Sequence, residues 1–551
     1  MASVSLKILF IFIFITGFSP LVAGFGASAY VPVEDPVYEF LEICAARAIV
    51  PTWSVNSRPI TRSAVAGLLE TIAGFYPDLD DRILEADLEY FRREFAYDIA
   101  AFTADNQTKA RTLRLVEYDR QRALNNPHWH AAMVQKDDFN FIFDPLISFR
   151  VDADQDKTIF RRATGIQFRG DFKRRVAFSF RFVDRVERGN APYLSRSALL
   201  EDRYGYVGPL QGGNETYYDL TEATLSTSFS SVDLSFGKDR VSWGPFRDEG
   251  LLLSGSAPSF THLRLDVGLF DRLRYFYLIG ALNAWDAPGD TLYTTEQGWT
   301  RLERPQKWLA AHRVEYMPLE WLVLAVNESI IWGDRGLDPA YLNPINFYYS
   351  AEHDGGDHDN ILISGDFLIK IRNRGFIYGE LLVDDIKLST LGKGNPGNRI
   401  GFAIGGKFLN TGIDGVTAGL DYIRLEPYVY SHFFPVNRYT TWTSNLGNRQ
   451  PSNSDKLSCW IKFKPRRNIE LSFTGAYHRQ GDVGSSPFEP LVRNGREKIW
   501  FLNDESESFV STSGSINWEP YPGLIVQTGW LSGEHKSLLP DRFFLGTAYR
   551  F

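Results

Sequence analysis

Apolar and polar side chains alternate along short segments of the chain from about Phe139 to the last residue. A period of two is typical of a β-strand whose two faces meet different surroundings. Charged residues of both signs recur in the middle of the polar face, while the other face is strongly apolar. Roughly 16 to 18 antiparallel strands fit this stretch. The clearest alternation lies in segments 166–172, 176–183, 263–269, 361–372 and 469–478.

The last segment of the chain shows the pattern most plainly. Phe543, Leu545, Thr547, Tyr549 and Phe551 share one face, and the residues between them share the other. Such a strand suits lipid on one side and a polar lumen on the other. Its terminal phenylalanine resembles the C-terminal sorting signal of bacterial outer-membrane β-barrels. That resemblance implies that barrel-insertion machinery binds the protein through Phe551.

The links between the candidate strands fall into two length classes. Tight turns occur at 373–375 and 522–523, and the other links are long and polar. Short turns at one rim and long loops at the other are typical of an outer-membrane barrel. The sequence therefore predicts a barrel domain over residues 136–551. The long links lie at 187–214, 283–307, 334–360, 432–455 and 480–507.

Residues 30–135 carry a helical pattern instead. After a first helix, Thr61 or Ser63 can cap a second, and Asp80 or Asp81 can cap a third. The region predicts a small helical domain that lies in the periplasm or plugs the barrel. The apolar stripe of the third helix is Leu84, Leu88, Phe91 and Phe95, and a charged helical stretch follows at 109–124.

The first residues, 1–29, have the features of a secretory signal. A short basic start precedes the apolar run ILFIFIFITGF at 8–18, which has the length of a signal core. The triplet Ala-Ser-Ala at 27–29 fits a cleavage site, so Tyr30 is the expected first mature residue. Val-Ala-Gly at 22–24 is a second candidate site.

Composition narrows the class of protein. The 551 residues are 44% hydrophobic and 15% aromatic, with only 3 Met, and the mean hydropathy is −0.22. No apolar run after the N-terminus is long enough for a transmembrane helix, so the aromatics suit the girdles of a barrel. Alternation alone leaves a large soluble β-sandwich or propeller open. The net charge of −8 argues against generic nucleic-acid binding.

The sequence gives little evidence for a metal site or for a functional cysteine pair. Cys44 and Cys459 are either bridged in an oxidising compartment or free and buried. An acidic, His-containing cluster at 352–359 fits either a calcium loop or a solvated loop, with the loop favoured. His128 and His130 lack the further ligands of a zinc site. We therefore predict no metal and no cofactor.

Three ordered motifs resemble the Wzi-type capsule-assembly family of outer-membrane proteins. They are GKDRVSWGP at 237–245 followed by GLLLS at 250–254, YLNP at 341–344 followed by Asp359, and GELLVDD at 379–385. The resemblance implies a mainly β fold, a transmembrane antiparallel barrel of 18 strands with a helical plug near its periplasmic end.

The same resemblance implies a function. It implies a lectin-like protein of the bacterial outer membrane that holds capsule or exopolysaccharide at the cell surface. Its partners would be that polysaccharide, outer-membrane lipid and lipopolysaccharide. The stretch 36–69 also faintly resembles an S-layer-homology module, which would bind cell wall, although the usual glycine loop is replaced at 51–56.

Seven residues of these motifs are candidates for polysaccharide binding. Trp243 can stack on the apolar face of a pyranose, and Arg240 or Asp239 can hydrogen bond to its hydroxyl or acid groups. The alternative places Trp243 in an aromatic girdle. The others are Tyr341 and the lumen-polar candidates Asn343, Asp384 and Asp385, for which ion-pair networks with Lys370 or Arg372 are the favoured alternative.

The sequence predicts no enzyme. It contains no G-x-S-x-G, H-E-x-x-H or P-loop motif. Asp384 and Asp385 are adjacent on a strand and point to opposite faces, so they cannot act together as a glycosidase pair. The alternative function is a porin-like channel for small solutes. A barrel hydrolase with a Ser-His pair, such as His478 near Ser472, is the third possibility.

Overall fold

The computed structural model describes most of the chain. Several sequence-based expectations fall outside its described ranges, namely the export signal up to residue 26, the stretch 109–124, His128, Arg372 and Phe551. The described residues are 27–52, 56–75, 81–104, 130–136, 138–155, 157–190, 208–209, 215–229, 231–285, 287–356, 358–371, 374–409, 413–491, 498–502, 506–533 and 541–550.

Within these ranges, eighteen antiparallel strands form one closed barrel. The last strand pairs with the first, with Thr547 opposite Phe149, so the barrel has no open edge. The strands β1 to β18 are Phe139–Asp154, Lys157–Phe172, Val176–Gly189, Glu215–Phe229, Val232–Asp239, Phe260–Phe270, Leu273–Leu282, Lys307–Leu319, Leu322–Gly333, Asn360–Ile371, Gly375–Asp385, Arg399–Leu409, Val416–Leu425, Ser454–Arg466, Ile469–Gly481, Ser506–Tyr521, Leu524–Ser532 and Arg542–Tyr549.

The predicted alternation is confirmed in the orientation of the side chains. On β18, Phe543 and Leu545 point outward with 71% and 59% of their surfaces exposed, while Phe544 points inward with 7% exposed. The same holds on β1, where Ile147 and Phe149 are exposed outward. The outer wall is therefore apolar and the inner wall polar, as a barrel in lipid requires.

The two rims of the barrel differ as the sequence predicts. At one rim, the turn rim, neighbouring strands are joined by tight turns such as 271–272, 320–321 and 522–523, and both ends of the barrel lie there. At the other, the loop rim, the connections are long apart from a tight turn at 155–156. The long connections are 190–214, 240–259, 283–306, 334–359, 386–398, 426–453, 482–505 and 533–541.

In the described residues before the barrel, four helices occupy the lumen at the turn rim. They are α1 Val37–Ala46, α2 Arg62–Gly74, α3 Arg82–Glu94 and α4 Ala96–Ala104. Thr61 accepts a hydrogen bond from the Ala64 amide, and Asp81 caps the next helix, so one of each predicted pair of caps is confirmed. The stripe Leu84, Leu88, Phe91 and Phe95 is buried as predicted.

We call residues 27–104 the plug, because charged side chains tie them to the inner wall. Thr52 donates a hydrogen bond to the carbonyl of Glu320, on a tight turn of the turn rim. Lys462 of β14 pairs with Glu39 at 2.7 Å, and Arg550 pairs with Asp35 at 2.6 Å. Partners on opposite sides of the lumen thus hold the plug across the barrel.

Glu42 of α1 is the most heavily paired of these anchors. Its carboxylate is 3% exposed and accepts hydrogen bonds from Arg58 at 2.9 Å and from Nζ of Lys407 on β12 at 2.9 Å. Arg247 of the 240–259 loop donates Nε–H to the same carboxylate at 2.8 Å. One buried acid therefore joins the plug, the wall and a loop.

Two loops fold inward above the plug. In the 240–259 loop, Ser242–Trp243 forms a short strand pair with Ser57–Arg58 of the plug. In the 426–453 loop, the Tyr430 hydroxyl donates to the carbonyl of Leu251 at 2.6 Å. The plug and these two loops thus lie inside the lumen and contact each other.

The cysteines are free and far apart. Cys44 lies buried in α1, and Cys459 lies exposed on the outer face of β14. Burial raises the pKa of the Cys44 thiol, which keeps it unreactive. Within the described ranges, no helix is both long enough and apolar enough to span a membrane. The same residues contain no group of three or more His, Cys, Asp or Glu side chains that could hold a metal ion.

Candidate functional site

Asp239 is the last residue of β5, and Arg240, which follows it, pairs with the plug. The Arg240 guanidinium is buried and pairs with Glu34 of the plug at 2.6 Å and with Glu222 of β4 at 3.5 Å. Asp239 accepts a hydrogen bond from the backbone amide of Arg240 at 2.7 Å. Although burial would raise it, Arg240 and Arg181 lower the pKa of Glu34 to about 2. The charge of Arg240 is therefore already neutralised within the protein.

Trp243 is enclosed between the plug and the wall. Only 2% of its surface is exposed, it lies opposite Ser57 in the short strand pair, and its ring centroid is 6.4 Å from that of Phe276. The indole is therefore neither on the outer girdle nor open to bulk solvent. A role for Trp243 in polysaccharide binding stays a prediction that would require the plug to move.

Tyr341 belongs to a packed aromatic group in the 334–359 loop. Its hydroxyl donates to Asp359 at 2.7 Å, and its ring lies 5.0 Å from that of Trp332. Burial, and then the hydrogen bond to Asp359, raise the pKa of Tyr341. Asn343 follows on an exposed turn, where its side chain accepts a hydrogen bond from the Ile345 amide at 3.2 Å. These residues shape the loop.

Asp384 and Asp385 stand at the loop end of β11, one facing in and one facing out. Asp384 is 6% exposed, accepts a hydrogen bond from the Tyr430 amide at 2.6 Å and pairs with Arg399 at 3.3 Å. Asp385 is half-exposed and lies 3.4 Å from the same guanidinium. The expected ion-pair network thus exists, but its cation is Arg399 of β12; pairing with Lys370 was wrong because that residue lies at the opposite end of β10.

The seven candidates do not converge on one pocket. Among the described residues, Arg240 pairs with the plug, Asp384 and Asp385 share Arg399, and Tyr341 packs against Trp332 of β9. Sequence reasoning could place each motif near a strand end. It could not give the inward fold of the loops, which depends on contacts between distant parts of the chain.

A hairpin on the loop rim, which sequence reasoning treated only as part of a polar link, exposes large aromatic side chains. We call strands Asp290–Thr294 and Thr300–Glu303 with their turn the rim hairpin. Trp299 is 65% exposed and Tyr293 is 56% exposed. Such exposure is unusual for large aromatics, which normally contribute to cores or to binding surfaces.

One face of the rim hairpin combines aromatic and cationic side chains. Tyr293 lies opposite Arg301 in the register, whereas Thr294 lies opposite Thr300. Because side chains alternate along a strand, Trp299 falls on the same face as Tyr293 and Arg301. The side chain of Arg301 has no ion pair or hydrogen bond with any residue that the structure describes. The sequence signal for this hairpin is the run Leu-Tyr-Thr at 292–294, which contains strand-forming residues, followed by Gln-Gly at 297–298, which favours a turn.

Comparison with known proteins gives a family and a fold. The model of the family described as capsule assembly protein Wzi matches residues 147–497. A solved Escherichia coli structure, described as Wzi, an outer membrane protein involved in group 1 capsule assembly and a carbohydrate-binding β-barrel, superposes with a TM-score of 0.56. It is 13% identical and covers 95% of this chain and 100% of its own.

Other solved structures are more distant. Pseudomonas aeruginosa OprD superposes with a TM-score of 0.39 at 10% identity, covering 74% of this chain and 94% of its own. OccD3 (OpdP) from the same organism gives 0.41 at 9% identity, covering 81% and 97%. No curated protein sequence matches the chain.

Proposed function

Because the chain belongs to the Wzi capsule assembly family, we propose that it is an outer-membrane barrel that holds capsule or exopolysaccharide at the cell surface as a lectin-like anchor. The solved structure described as a carbohydrate-binding barrel supports this proposal by its shared fold. No enzymatic step is part of the proposal. The channel alternative is not proposed, because the plug and the inward loops occupy the lumen.

The rim hairpin is the observation that carries the polysaccharide-binding proposal. Trp299 and Tyr293 offer flat apolar faces to the C–H face of a pyranose, while Arg301 offers paired N–H donors to hydroxyl or carboxylate groups. Binding here needs no rearrangement, because these side chains are already exposed at the loop rim. Tyr341, Asn343, Asp384 and Asp385 would then support the loops behind this surface.

The apolar outer wall indicates which molecules surround the barrel. Its apolar outward face would contact outer-membrane lipid, with lipopolysaccharide around the loop rim. In this orientation the loop rim faces the cell exterior and the plug faces the periplasm. Barrel-insertion machinery would bind the C-terminal strand through Phe551.

Export requires signal cleavage, and we predict that it occurs after Gly24 and not after Ala29. Residues 27–29 are built into the plug: the Ala27 amide donates to the Arg174 carbonyl at 2.7 Å, and the Arg62 amide donates to that of Ala29 at 2.9 Å. Cleavage after Ala29 would remove these bonds. N-terminal sequencing of the protein from purified outer membranes should therefore begin at Phe25, and a sequence beginning at Tyr30 would contradict this.

Gene deletion in the producing bacterium tests the proposed function. We expect the total polysaccharide to stay constant while the cell-attached fraction falls and the released fraction rises, because synthesis does not depend on an anchor. The two fractions are measured as polysaccharide in washed cells and in cell-free medium. Wild-type complementation should restore attachment. Unchanged attachment in the deletion strain would refute the anchor.

A further inference from the structure

A polar cavity of about 360 Å³ lies beside the plug. Its walls are the lumen faces of β1 to β4, with the ends of β5 and β18, and its floor is formed by plug residues such as Glu34, Asp35 and Arg62. This volume lies at the lower end of the range for small-ligand pockets. Of the residues in the three family motifs, Asp239 alone is among the described residues that line this cavity.

Arg169 of β2 lines this cavity without a partner. Its guanidinium makes no ion pair and no hydrogen bond with any residue that the structure describes, although the carboxylates of Asp98, Asp144 and Glu94 attract it from farther away. On the neighbouring strands its register partners are Ile142 of β1 and Ser179 of β3, neither of which carries a charge. A guanidinium does not lose its charge by deprotonation, so its N–H donors stay available to an anion that enters the cavity.

The carboxylates that line the cavity are hydrogen bonded or ion-paired to groups other than Arg169. Asp144 is 1% exposed and bonds to His130 at 2.9 Å and to the Ala131 amide at 3.2 Å. Three of the other arginines in the lining form ion pairs with acids. They are Arg62 with Asp98 at 2.9 Å, Arg550 with Asp35 at 2.6 Å, and Arg181 with Glu34 at 3.1 Å.

The lining beside Arg169 also offers neutral hydrogen-bonding groups. Gln167 lies two residues before Arg169 on the same face of β2, and Ser148 of β1 lines the same cavity. Neither side chain has a hydrogen bond within the described part of the chain. An amide and a hydroxyl can both donate and accept, which is what several adjacent sugar hydroxyls require.

We propose that this cavity, the Arg169 cavity, binds a carboxylate-bearing sugar whose carboxylate pairs with the Arg169 guanidinium. Arginine matches a carboxylate with two parallel hydrogen bonds. Gln167 and Ser148 then bond to the sugar hydroxyls. The choice of a sugar rests on the proposed function, whereas the unpaired cation does not.

Calorimetric titration of the purified full-length protein in detergent micelles tests this site. The probes are glucuronate, glucose and inorganic phosphate. We expect glucuronate to bind at least about tenfold more tightly than either of the others, because only it offers both the charge and the hydroxyls. In Arg169→Gln the affinity for glucuronate should fall by about 10- to 100-fold.

Two further variants guard against a folding artefact. Arg82→Gln removes an exposed plug arginine without a partner in the described residues and should bind glucuronate like the wild type. Ala163→Phe keeps every charge but fills part of the cavity, so it should also weaken binding. Unfolded protein is recognised by the loss of the heat-modifiable shift in electrophoresis.

Three results would overturn the site: glucose binding as tightly as glucuronate, phosphate binding as tightly as glucuronate, or Arg169→Gln and Ala163→Phe binding like the wild type. Failure of the site and failure of the proposed function are separable. If polysaccharide attachment depends on the protein but Arg169→Gln binds glucuronate like the wild type, the Arg169 cavity is refuted and the anchor function is not. If glucuronate binding depends on Arg169 but deletion of the gene leaves attachment unchanged, the anchor function is refuted and the Arg169 cavity is not.

Discussion

Replacing Glu42 by alanine is expected to release the plug from the barrel while the barrel itself stays folded. The substitution leaves Arg58, Arg247 and Lys407 in a buried site without their shared carboxylate. Removing one partner of a buried ion pair costs about 3–5 kcal/mol, because the remaining charges lose compensation. Hydrogen exchange in α1 should therefore accelerate at least about a hundredfold, with the strands of the barrel unchanged.

Glu89→Gln is the matched control for this prediction. Glu89 also lies on a plug helix and also pairs with an arginine, Arg93, but its side chain is 62% exposed. Exposed pairs of this kind contribute about 0–1 kcal/mol, so exchange in α1 should hardly change. Equal exchange in Glu42→Ala and the wild type would show that the buried cluster does not hold the plug.

Truncating the aromatics of the rim hairpin is expected to weaken polysaccharide binding strongly. Trp299→Ala should reduce the affinity for the purified surface polysaccharide about thirtyfold, which corresponds to about 2 kcal/mol of lost apolar contact. Tyr293→Ala should have a smaller effect in the same direction, because its ring is smaller. The affinity is measured on the protein in nanodiscs, by surface plasmon resonance against immobilised polysaccharide.

Trp321→Ala provides the control, since Trp321 is a similarly exposed tryptophan on a tight turn of the opposite rim. It should bind polysaccharide like the wild type. The two strands of the hairpin are exposed along their length, so Trp299→Ala leaves no cavity in the core. If Trp299→Ala binds as tightly as Trp321→Ala, the rim hairpin is not the binding surface.

The barrel could be predicted from the sequence because its signal is local. Alternation along one strand, as at Phe543, Phe544 and Leu545, depends only on which face meets lipid. Helix caps such as Thr61 and Asp81 are local in the same way. The resemblance to a family supplied the count of eighteen strands, within the range that alternation allows.

The site could not be predicted in the same way, because it depends on contacts between distant segments. Trp243 is buried because its short strand pairs with residues 57–58 of the plug. Asp384 forms an ion pair with Arg399 because β11 and β12 are neighbouring strands. Neither contact leaves a trace in the spacing of the motifs. Arg169 illustrates the same limit, since a lack of partners becomes visible only once the neighbouring strands and the plug are in place.

Cell attachment of polysaccharide in a hairpin variant tests the central claim most directly. The deletion strain is complemented with the double variant Tyr293→Ala and Trp299→Ala or with the wild type, at equal amounts of folded barrel in the outer membrane. We predict that the double variant leaves total polysaccharide unchanged and lowers the cell-attached fraction to that of the deletion strain. A cell-attached fraction equal to that of the wild type would contradict the account.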